Sequence, residues 1–336
     1  MDLSTQTIVS WEGVMRHWMV WTAFALGILS AGTARAQIPS RLEMLALKSL
    51  TLSGPEFLQG RPSGKEVMLA GELRLPPRAA PKVPAVILVH GSGGIGGSTD
   101  VWARELNAIG VAAFILDTFS GRGIVSTVAD QEQLNSLAMM VDAYRALDLL
   151  AAHPRIRADR IGIMGFSKGA VASVYSASER FRAAHGGKET RFAAHIGFYT
   201  PCNVTFEGDA KVGPAPIRMF HGISDDYVAI QPCRDYAARL KAAGADVVLT
   251  EYPDSQHAFD NPTSPPLFHI ANAQSTRKCR LKEGPDGTVL NAETGTPFIL
   301  KTDSCLAIGA HIGHNAEATA LARIAVREFL QRTLLQ

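Results

Sequence analysis

The sequence contains a serine in a setting that suits nucleophilic catalysis. Ser167 is the central residue of Gly165-Phe166-Ser167-Lys168-Gly169, which follows an apolar strand-like run and precedes a helix-like segment. A nucleophile on such a tight turn is held in strained backbone geometry, and the flanking glycines let the chain pass closely. Free N–H groups at the start of the following helix favour a developing negative charge. The motif predicts an acyl-transfer nucleophile, although Ser167 would also suit an ordinary helix N-cap.

A serine hydroxyl is a poor nucleophile until a base takes its proton, so a histidine and an orienting acid must accompany it. Asp225 and Asp226 follow a later strand-like run, and His257 follows the next one. The order Ser, Asp, His, with each residue just past a strand end, is that of α/β-hydrolases. Either aspartate would also cap the helix that begins near Gln231, and His257 would also suit a surface loop. The three positions together favour the catalytic interpretation.

The elements that must position these residues alternate between short apolar runs and amphipathic stretches. The apolar runs are bounded by Gly and Pro, as buried parallel strands are. Strands are predicted at 85–89, 111–116, 161–164, 193–199, 217–220 and 247–249, and helices at about 99–109, 130–152, 168–180, 231–243 and 315–333. The alternation predicts an α/β domain with a mostly parallel sheet flanked by helices and an antiparallel lead-in strand at 67–75. The order Ser, Asp, His at the strand ends matches the α/β-hydrolase fold. Chemistry is expected at the carboxyl ends of the strands.

The composition excludes several classes of protein. The chain has 336 residues, of which 46% are hydrophobic and 19% charged, and its 33 Lys+Arg against 31 Asp+Glu leave a net charge of +2. A disordered chain would be less apolar and more charged. The even charge balance provides no basic field for nucleic acid, so no nucleic-acid partner is expected.

The first 36 residues have the layout of a secretory signal peptide. An apolar run at 18–31 follows Arg16 and His17, and Ala34-Arg35-Ala36 predicts cleavage before Gln37. The run is shorter than the roughly twenty residues of a membrane span, so no stable membrane anchor is expected after cleavage, with an uncleaved anchor as the alternative. Acidic residues upstream suggest translation from Met15 rather than Met1. The chain is predicted to be exported, to the periplasm or the medium, with residues 37–336 as one hydrolase domain.

Residues 261–310 interrupt the alternation and are rich in Pro, Gly, Thr and Asn. They are predicted to be an irregular C-terminal insertion before the last helix. Export makes oxidised cysteines the expectation. The pairs Cys202–Cys233 and Cys279–Cys305 would each close a local loop, with a reactive Cys202 thiol near the site as the alternative.

The chain resembles the dienelactone hydrolase-like proteins of the α/β-hydrolase superfamily over roughly residues 65–260. The resemblance is carried by His90-Gly91-Ser92-Gly93-Gly94, by the motif around Ser167, by Gly222-x-x-Asp225, and by Tyr252 with His257-Ala258-Phe259. It matches Asp225, not Asp226, to the family's acid. The family's namesakes usually carry cysteine as the nucleophile, whereas serine stands here. The resemblance therefore implies a serine-nucleophile, exported subgroup of general esterases.

The resemblance also implies an oxyanion hole made of backbone N–H groups, one from Ser92 or Gly93 and one from Lys168. The Lys168 side chain receives no role. Residues 91–96 also match a dinucleotide-binding fingerprint, with Asp117 ending the next strand. The late position of this turn in the chain favours the oxyanion interpretation, and no cofactor is expected.

Candidates for substrate binding lie at neighbouring strand ends. Arg122 would hold a substrate carboxylate as a bidentate fork, or would only fix its own loop. Phe119 and Tyr227 would line an acyl pocket, or would belong to the core. His311 and His314 have no third ligand nearby in the sequence, so no metal site is predicted.

Together these features predict a serine hydrolase that cleaves carboxylic ester or lactone bonds of small molecules through a Ser-His-Asp triad and an acyl-enzyme. A peptidase or acyltransferase on the same scaffold is the alternative within enzymes. A catalytically silent binding protein is the alternative outside them.

Overall fold

The computed structural model describes residues 41–77 and 80–336. The predicted signal peptide, its cleavage site and both candidate start residues lie outside the described residues. No helix in the described part of the chain has the length and apolarity needed to span a membrane.

Strands and helices alternate through most of the described chain. The strands are β1 (Leu42–Thr51), β2 (Lys65–Arg74), β3 (Val83–Val89), β4 (Ala112–Asp117), β5 (Ile156–Phe166), β6 (Ala194–Phe198), β7 (Val204–Thr205), β8 (Ile217–Gly222), β9 (Val247–Tyr252), β10 (Phe268–Ser275), β11 (Leu281–Glu283), β12 (Val289–Asn291) and β13 (Ala307–Ile312). The helices are α1 (Gly54–Leu58), α2 (Gly97–Ala108), α3 (Ser136–Ala151), α4 (Lys168–Tyr175), α5 (Glu179–His185), α6 (Gln231–Ala242) and α7 (Ala316–Thr333).

The main sheet of the described residues has the strand order β1-β2-β4-β3-β5-β6-β8-β9. Strands β4, β3, β5, β6, β8 and β9 run parallel, while β2 is antiparallel to both of its neighbours, β1 and β4. The central strands β3, β4 and β6 are almost completely buried because helices cover both faces of the sheet. Helices α3, α4 and α6 pack on one face, and α2 and α7 on the other. The predicted mostly parallel α/β-hydrolase sheet is confirmed.

Helix boundaries differ from the sequence predictions where side-chain caps intervene. Helix α3 begins only at Ser136, because the Asn135 side chain accepts the N–H of Leu137 and caps the helix there. The predicted helix at 168–180 divides into α4 and α5, since Ser178 caps the second helix. Strand β1 was not predicted, because it is an edge strand whose apolar residues lie on both faces.

The insertion at 261–310 is more regular than predicted. Strand β10 pairs with β13, and β11 pairs with β12 and with the short β7 of the preceding loop. Disulfide Cys279–Cys305 closes the segment on itself. Disulfide Cys202–Cys233 joins the loop after β6 to α6. Both predicted pairings are confirmed, so Cys202 is not a free thiol.

Candidate active site

Ser167 lies on a sharp turn between β5 and α4, and its backbone is strained. Its φ of 51° and ψ of −117° are unusual for a residue with a side chain. The N–H of Ser167 donates to the carbonyl of Phe198, 2.9 Å away, and this holds the turn against β6. A Cβ at Gly165 would overlap the carbonyl of Gly169, and a Cβ at Gly169 would overlap the carbonyl of Val89. The glycines therefore permit the turn that presents Ser167.

The structure brings together the three residues that the sequence proposed as nucleophile, base and acid. Ser167 Oγ is 2.9 Å from His257 Nε2. His257 Nδ1 is 2.8 Å from Asp225 Oδ2. The imidazole can accept the serine proton on one nitrogen while it donates to the carboxylate from the other, which is the arrangement that nucleophilic serine catalysis requires.

The carboxylate of Asp225 is completely buried and well supplied with hydrogen bonds. Its Oδ1 accepts the N–H groups of Tyr227 and Val228 at 2.9 and 2.8 Å. His221 Nε2 lies 3.4 Å from Oδ2 and donates to the Val228 carbonyl. Burial acts to raise the pKa of Asp225, but the neighbouring His257 and His221 outweigh it and hold the pKa below its usual value. Asp225 is thus kept ionised beside His257.

Asp226, the competing acid, faces away from the triad. Its carboxylate accepts the backbone N–H of His311 and contacts His311 Nδ1, both at 2.7 Å. Asp226 therefore ties the acid loop to β13 of the insertion. The described residues hold no group of three or more His, Cys, Asp or Glu side chains arranged for a metal ion.

The N–H groups proposed for an oxyanion hole lie on the two turns that flank the nucleophile. In residues 41–77 and 80–336, the N–H groups of Ser92, Gly93 and Lys168 donate no hydrogen bond to protein atoms. A Cβ added at Gly91 would lie 3.3 Å from Ser167 Cβ, so the first turn lies directly against the nucleophile. Free donors next to Ser167 suit an oxyanion.

The side chain of Lys168, which had no predicted role, links these turns through Gln131. Its Nζ donates to the carbonyl and to Oε1 of Gln131, at 2.9 and 3.0 Å. Ser92 Oγ donates to the same Oε1 at 3.1 Å, and Ser92 O accepts the N–H of Thr127. Burial lowers the pKa of Lys168 to about 7. The lysine thus connects the helix after Ser167 to the loop that supports the other oxyanion turn.

Arg122 does not line the cavity that contains Ser167, which contradicts its predicted contact with a substrate carboxylate. Its guanidinium donates to Thr51, to the Thr118 and Leu50 carbonyls, and to both carboxylate oxygens of Asp142. Its side chain is only 6% exposed. The alternative, in which Arg122 only fixes its own loop, is the one observed, because acceptors of the protein itself take up all the N–H groups of the guanidinium.

Of the two aromatic candidates, only Tyr227 reaches the site. Phe119 is 2% exposed and packs edge-on against His90 with 4.4 Å between ring centroids, so its predicted substrate contact is wrong. Tyr227 lines the cavity that contains Ser167, and its ring centroid is 4.8 Å from that of His257. The cavity has a volume of about 880 Å³.

Sequence reasoning missed a buried network behind His257. The ring of Tyr199 lies 4.4 Å from the His257 ring, and its hydroxyl donates to Asp260 Oδ1 at 2.8 Å. Trp102 Nε1 and Ser98 Oγ donate to the other oxygen of Asp260. The only available signal was the position of Tyr199 at the end of β6, because its partners are distant in sequence.

The chain also matches the model of a known protein family. The model of the dienelactone hydrolase family matches residues 69–284. The chain belongs to the dienelactone hydrolase family. Membership confirms the resemblance and the predicted enzyme class, a carboxylic ester hydrolase. No curated protein matches the chain in a sequence search.

Solved structures show the same fold. A dienelactone hydrolase-like promiscuous phosphotriesterase from metagenomic libraries is similar with 15% identity and a TM-score of 0.54, over 87% of this chain and 98% of that one. A structure titled m3DLH is similar with 18% identity and a TM-score of 0.55, over 87% of this chain and 99% of that one. At such identities the likeness shows a shared fold.

Proposed function

We propose that this member of the dienelactone hydrolase family cleaves carboxylic ester or lactone bonds through Ser167, His257 and Asp225, with an acyl-enzyme intermediate. The observation that carries the proposal is the hydrogen-bonded row from Ser167 Oγ through His257 to Asp225 Oδ2, with steps of 2.9 and 2.8 Å. The strained backbone of Ser167 and the free N–H groups beside it support the same assignment.

In the first half-reaction Ser167 Oγ attacks the carbonyl carbon while its proton passes to His257 Nε2. The carbonyl oxygen becomes an oxyanion, which accepts hydrogen bonds from the N–H of Lys168 and from that of Ser92 or Gly93. Asp225 stabilises the imidazolium. The tetrahedral intermediate then collapses, the bond to the alcohol oxygen breaks, and His257 returns its proton to that oxygen.

In the second half-reaction water replaces the alcohol. His257 takes a proton from the water, and the resulting hydroxide attacks the acyl carbon. The new tetrahedral intermediate expels Ser167 Oγ, which recovers its proton from the imidazolium. The carboxylic acid leaves and the enzyme is restored. In a lactone the acid and alcohol remain one molecule.

The direct test is hydrolysis of p-nitrophenyl acetate by residues 37–336 and by the Ser167→Ala variant. Ser304→Ala is a matched control, because Ser304 is exposed on the insertion. Wild type and the control turn over equally, and Ser167→Ala loses at least about 10³-fold in kcat. A fluorophosphonate probe labels wild type and leaves Ser167→Ala unlabelled. Turnover that survives in Ser167→Ala contradicts the proposal, and transfer to added alcohols in place of water would favour an acyltransferase.

We also propose that the protein is exported, with residues 1–36 removed and residues 37–336 forming the hydrolase domain. Two disulfides among the described residues support an oxidising compartment. Intact-mass measurement of the protein from its source cells is expected to give a chain that starts at Gln37 and has no free thiol. A mature chain that retains residues 18–31 contradicts this proposal. N-terminal sequencing of the precursor distinguishes a start at Met15 from one at Met1.

A further inference from the structure

The cavity at Ser167 extends well beyond the reacting atoms. Besides Ser167 it is lined by Leu137 on α3, by Phe206 after β7, and by Leu52 and Pro55, which lie just before α1 and within it. Its volume of about 880 Å³ lies near the upper end of the range of roughly 300–1,000 Å³ found for small-molecule sites. A short acyl group and a small alcohol would leave most of this space empty.

The insertion lines the part of this cavity next to α1 with apolar side chains, and we call this part the distal cavity. Val289, Phe298 and Leu300 all line it. The N–H of Phe298 donates to the carbonyl of Val289 at 2.8 Å, which joins two of these lining positions. The turn at Pro285–Gly287 contacts α1, where the Gln59 side chain donates to the carbonyl of Asp286. The distal wall is therefore part of the folded insertion, held by β11, β12 and a disulfide.

We propose that the distal cavity binds a bulky, mainly apolar group of the ester cleaved at Ser167, and that the insertion is the wall that selects it. This inference rests on the proposed function. Apolar groups buried there leave water, and each buried methylene raises kcat/KM by up to about fourfold. The selected substrates are larger than short-chain esters, and the bulky group belongs to either the acyl or the alcohol part.

Four esters test this inference on residues 37–336. They are p-nitrophenyl acetate and ethyl acetate as the short references, p-nitrophenyl 6-phenylhexanoate with a bulky acyl group, and 4-phenylbutyl acetate with a bulky alcohol. We expect kcat/KM for one bulky ester to exceed that of its short counterpart, p-nitrophenyl acetate or ethyl acetate, by at least about tenfold. The ester that is preferred identifies the part that enters the distal cavity. Equal or lower kcat/KM for both bulky esters overturns the inference.

Variants of the insertion test whether its lining residues cause the preference for the bulky ester. Val289→Trp fills the distal cavity and should lower kcat/KM for the bulky ester by at least about tenfold more than it changes kcat/KM for p-nitrophenyl acetate. Ile308→Trp is the matched control, because Ile308 belongs to the same insertion and is 57% exposed. Phe298→Ala, which removes lining atoms, should also weaken the preference. A preference unchanged in Val289→Trp overturns the inference, whereas loss of every Ser167-dependent hydrolysis in wild type contradicts the proposed function as well.

A second inference concerns the hydroxyl of Tyr227. The backbone of Tyr227 is held on both sides, because its N–H donates to Asp225 and its carbonyl accepts from Ser275 Oγ at 2.6 Å. Its hydroxyl is buried and has no hydrogen-bond partner among the described residues. Burial raises the pKa of Tyr227 to about 12. The hydroxyl is therefore a protonated, unpaired donor.

Tyr227 lies among the residues that are proposed to act on the ester. Its ring packs on His257, and Tyr227 lines the same cavity as Ser167 and Gln131, whose Oε1 accepts from Ser92 and Lys168. Those two residues carry the proposed oxyanion donors. A buried polar group without a partner is unfavourable, so a ligand atom that accepts its hydrogen bond is stabilised. We infer that the Tyr227 hydroxyl donates a hydrogen bond to the ester bound at Ser167.

Tyr227→Phe tests this inference because it removes only the hydroxyl. We expect kcat/KM to fall by about 10- to 100-fold, while Tm stays the same or rises, since an unpaired buried group is lost. Tyr236→Phe is the control, because the Tyr236 hydroxyl donates to the Asp209 carbonyl away from the site. That variant should lose stability and retain activity. Full activity in Tyr227→Phe, or an activity loss that accompanies a lower Tm, overturns the inference.

Discussion

The guanidinium of Arg122 forms a bidentate ion pair with the carboxylate of Asp142, with N···O distances of 2.8 and 3.0 Å. The Asp142 side chain has no exposed surface, and Arg122 is 6% exposed. The pair joins the loop after β4 to α3, and Ser49 of β1 also donates to Asp142. The guanidinium, which would also suit an anionic ligand, is therefore paired inside the protein. There it joins β1, the loop after β4 and α3.

Removing Arg122 should therefore affect stability rather than substrate binding. We expect Arg122→Ala to lower the free energy of unfolding by about 3–5 kcal/mol, because it leaves a buried carboxylate without its partner. Arg157→Ala is the control, because that arginine forms an exposed pair with Asp159 and should contribute less than about 1 kcal/mol. Urea unfolding measures both. A KM increase confined to esters that carry a carboxylate would contradict this role.

The two adjacent aspartates should differ sharply in their effect on catalysis. We expect Asp225→Asn to lower kcat by about 10³- to 10⁴-fold, because an amide no longer holds the required imidazole tautomer. Asp226→Asn should change kcat less than about threefold, since its carboxylate contacts His311 and not His257. Kinetics on p-nitrophenyl acetate distinguish the two. Equal losses in both variants would reject Asp225 as the orienting acid.

Two glycines of β5 should respond differently to the same substitution. A Cβ at Gly165 overlaps the Gly169 carbonyl, whereas a Cβ at Gly162 meets its nearest atoms at 3.5 Å, an ordinary contact. We expect Gly165→Ala to displace the Ser167 turn, with a loss of at least about 2 kcal/mol of stability and most activity. Gly162→Ala should be neutral or stabilising by up to about 1 kcal/mol. Calorimetry and ester hydrolysis would show whether the turn tolerates the methyl group.

Lys168 should make stability depend on pH. Its pKa is about 7 in the folded protein against 10.5 for an ordinary lysine. Below pH 7 the Lys168 amine is protonated in both the folded and the unfolded state. Between pH 7 and 10.5 it is protonated only in the unfolded chain, which therefore holds one more proton. The free energy of unfolding therefore rises with pH across this window, by up to about 1.4 kcal/mol per pH unit from this group.

The variant Lys168→Met should lack this contribution while it retains the backbone N–H of residue 168. Urea unfolding at several pH values between about 7 and 10 gives the slope for each protein. We expect a steeper rise for wild type than for Lys168→Met. Identical slopes would mean that Lys168 does not titrate within this range.

The sequence alone determined the local parts of the site. Apolar runs bounded by glycine indicated the parallel strands, and the order Ser167, Asp225, His257 followed from their positions after those strands. Parallel strands in one sheet end at a common edge, so residues just past their ends are brought together whatever separates them in sequence. The disulfide pairs were predictable because each bridge joins cysteines that are close in sequence, 31 and 26 residues apart.

Only the tertiary structure decided which partner each polar side chain takes. Asp225 and Asp226 are adjacent in sequence, yet one contacts His257 and the other His311. Arg122 pairs with a buried carboxylate of a helix that begins 14 residues later, at Ser136. The insertion lines a large cavity. Hydrogen bonds act over about 3 Å, so these outcomes depend on the packing of elements distant in sequence. Periodicity and spacing along the chain carry no such information.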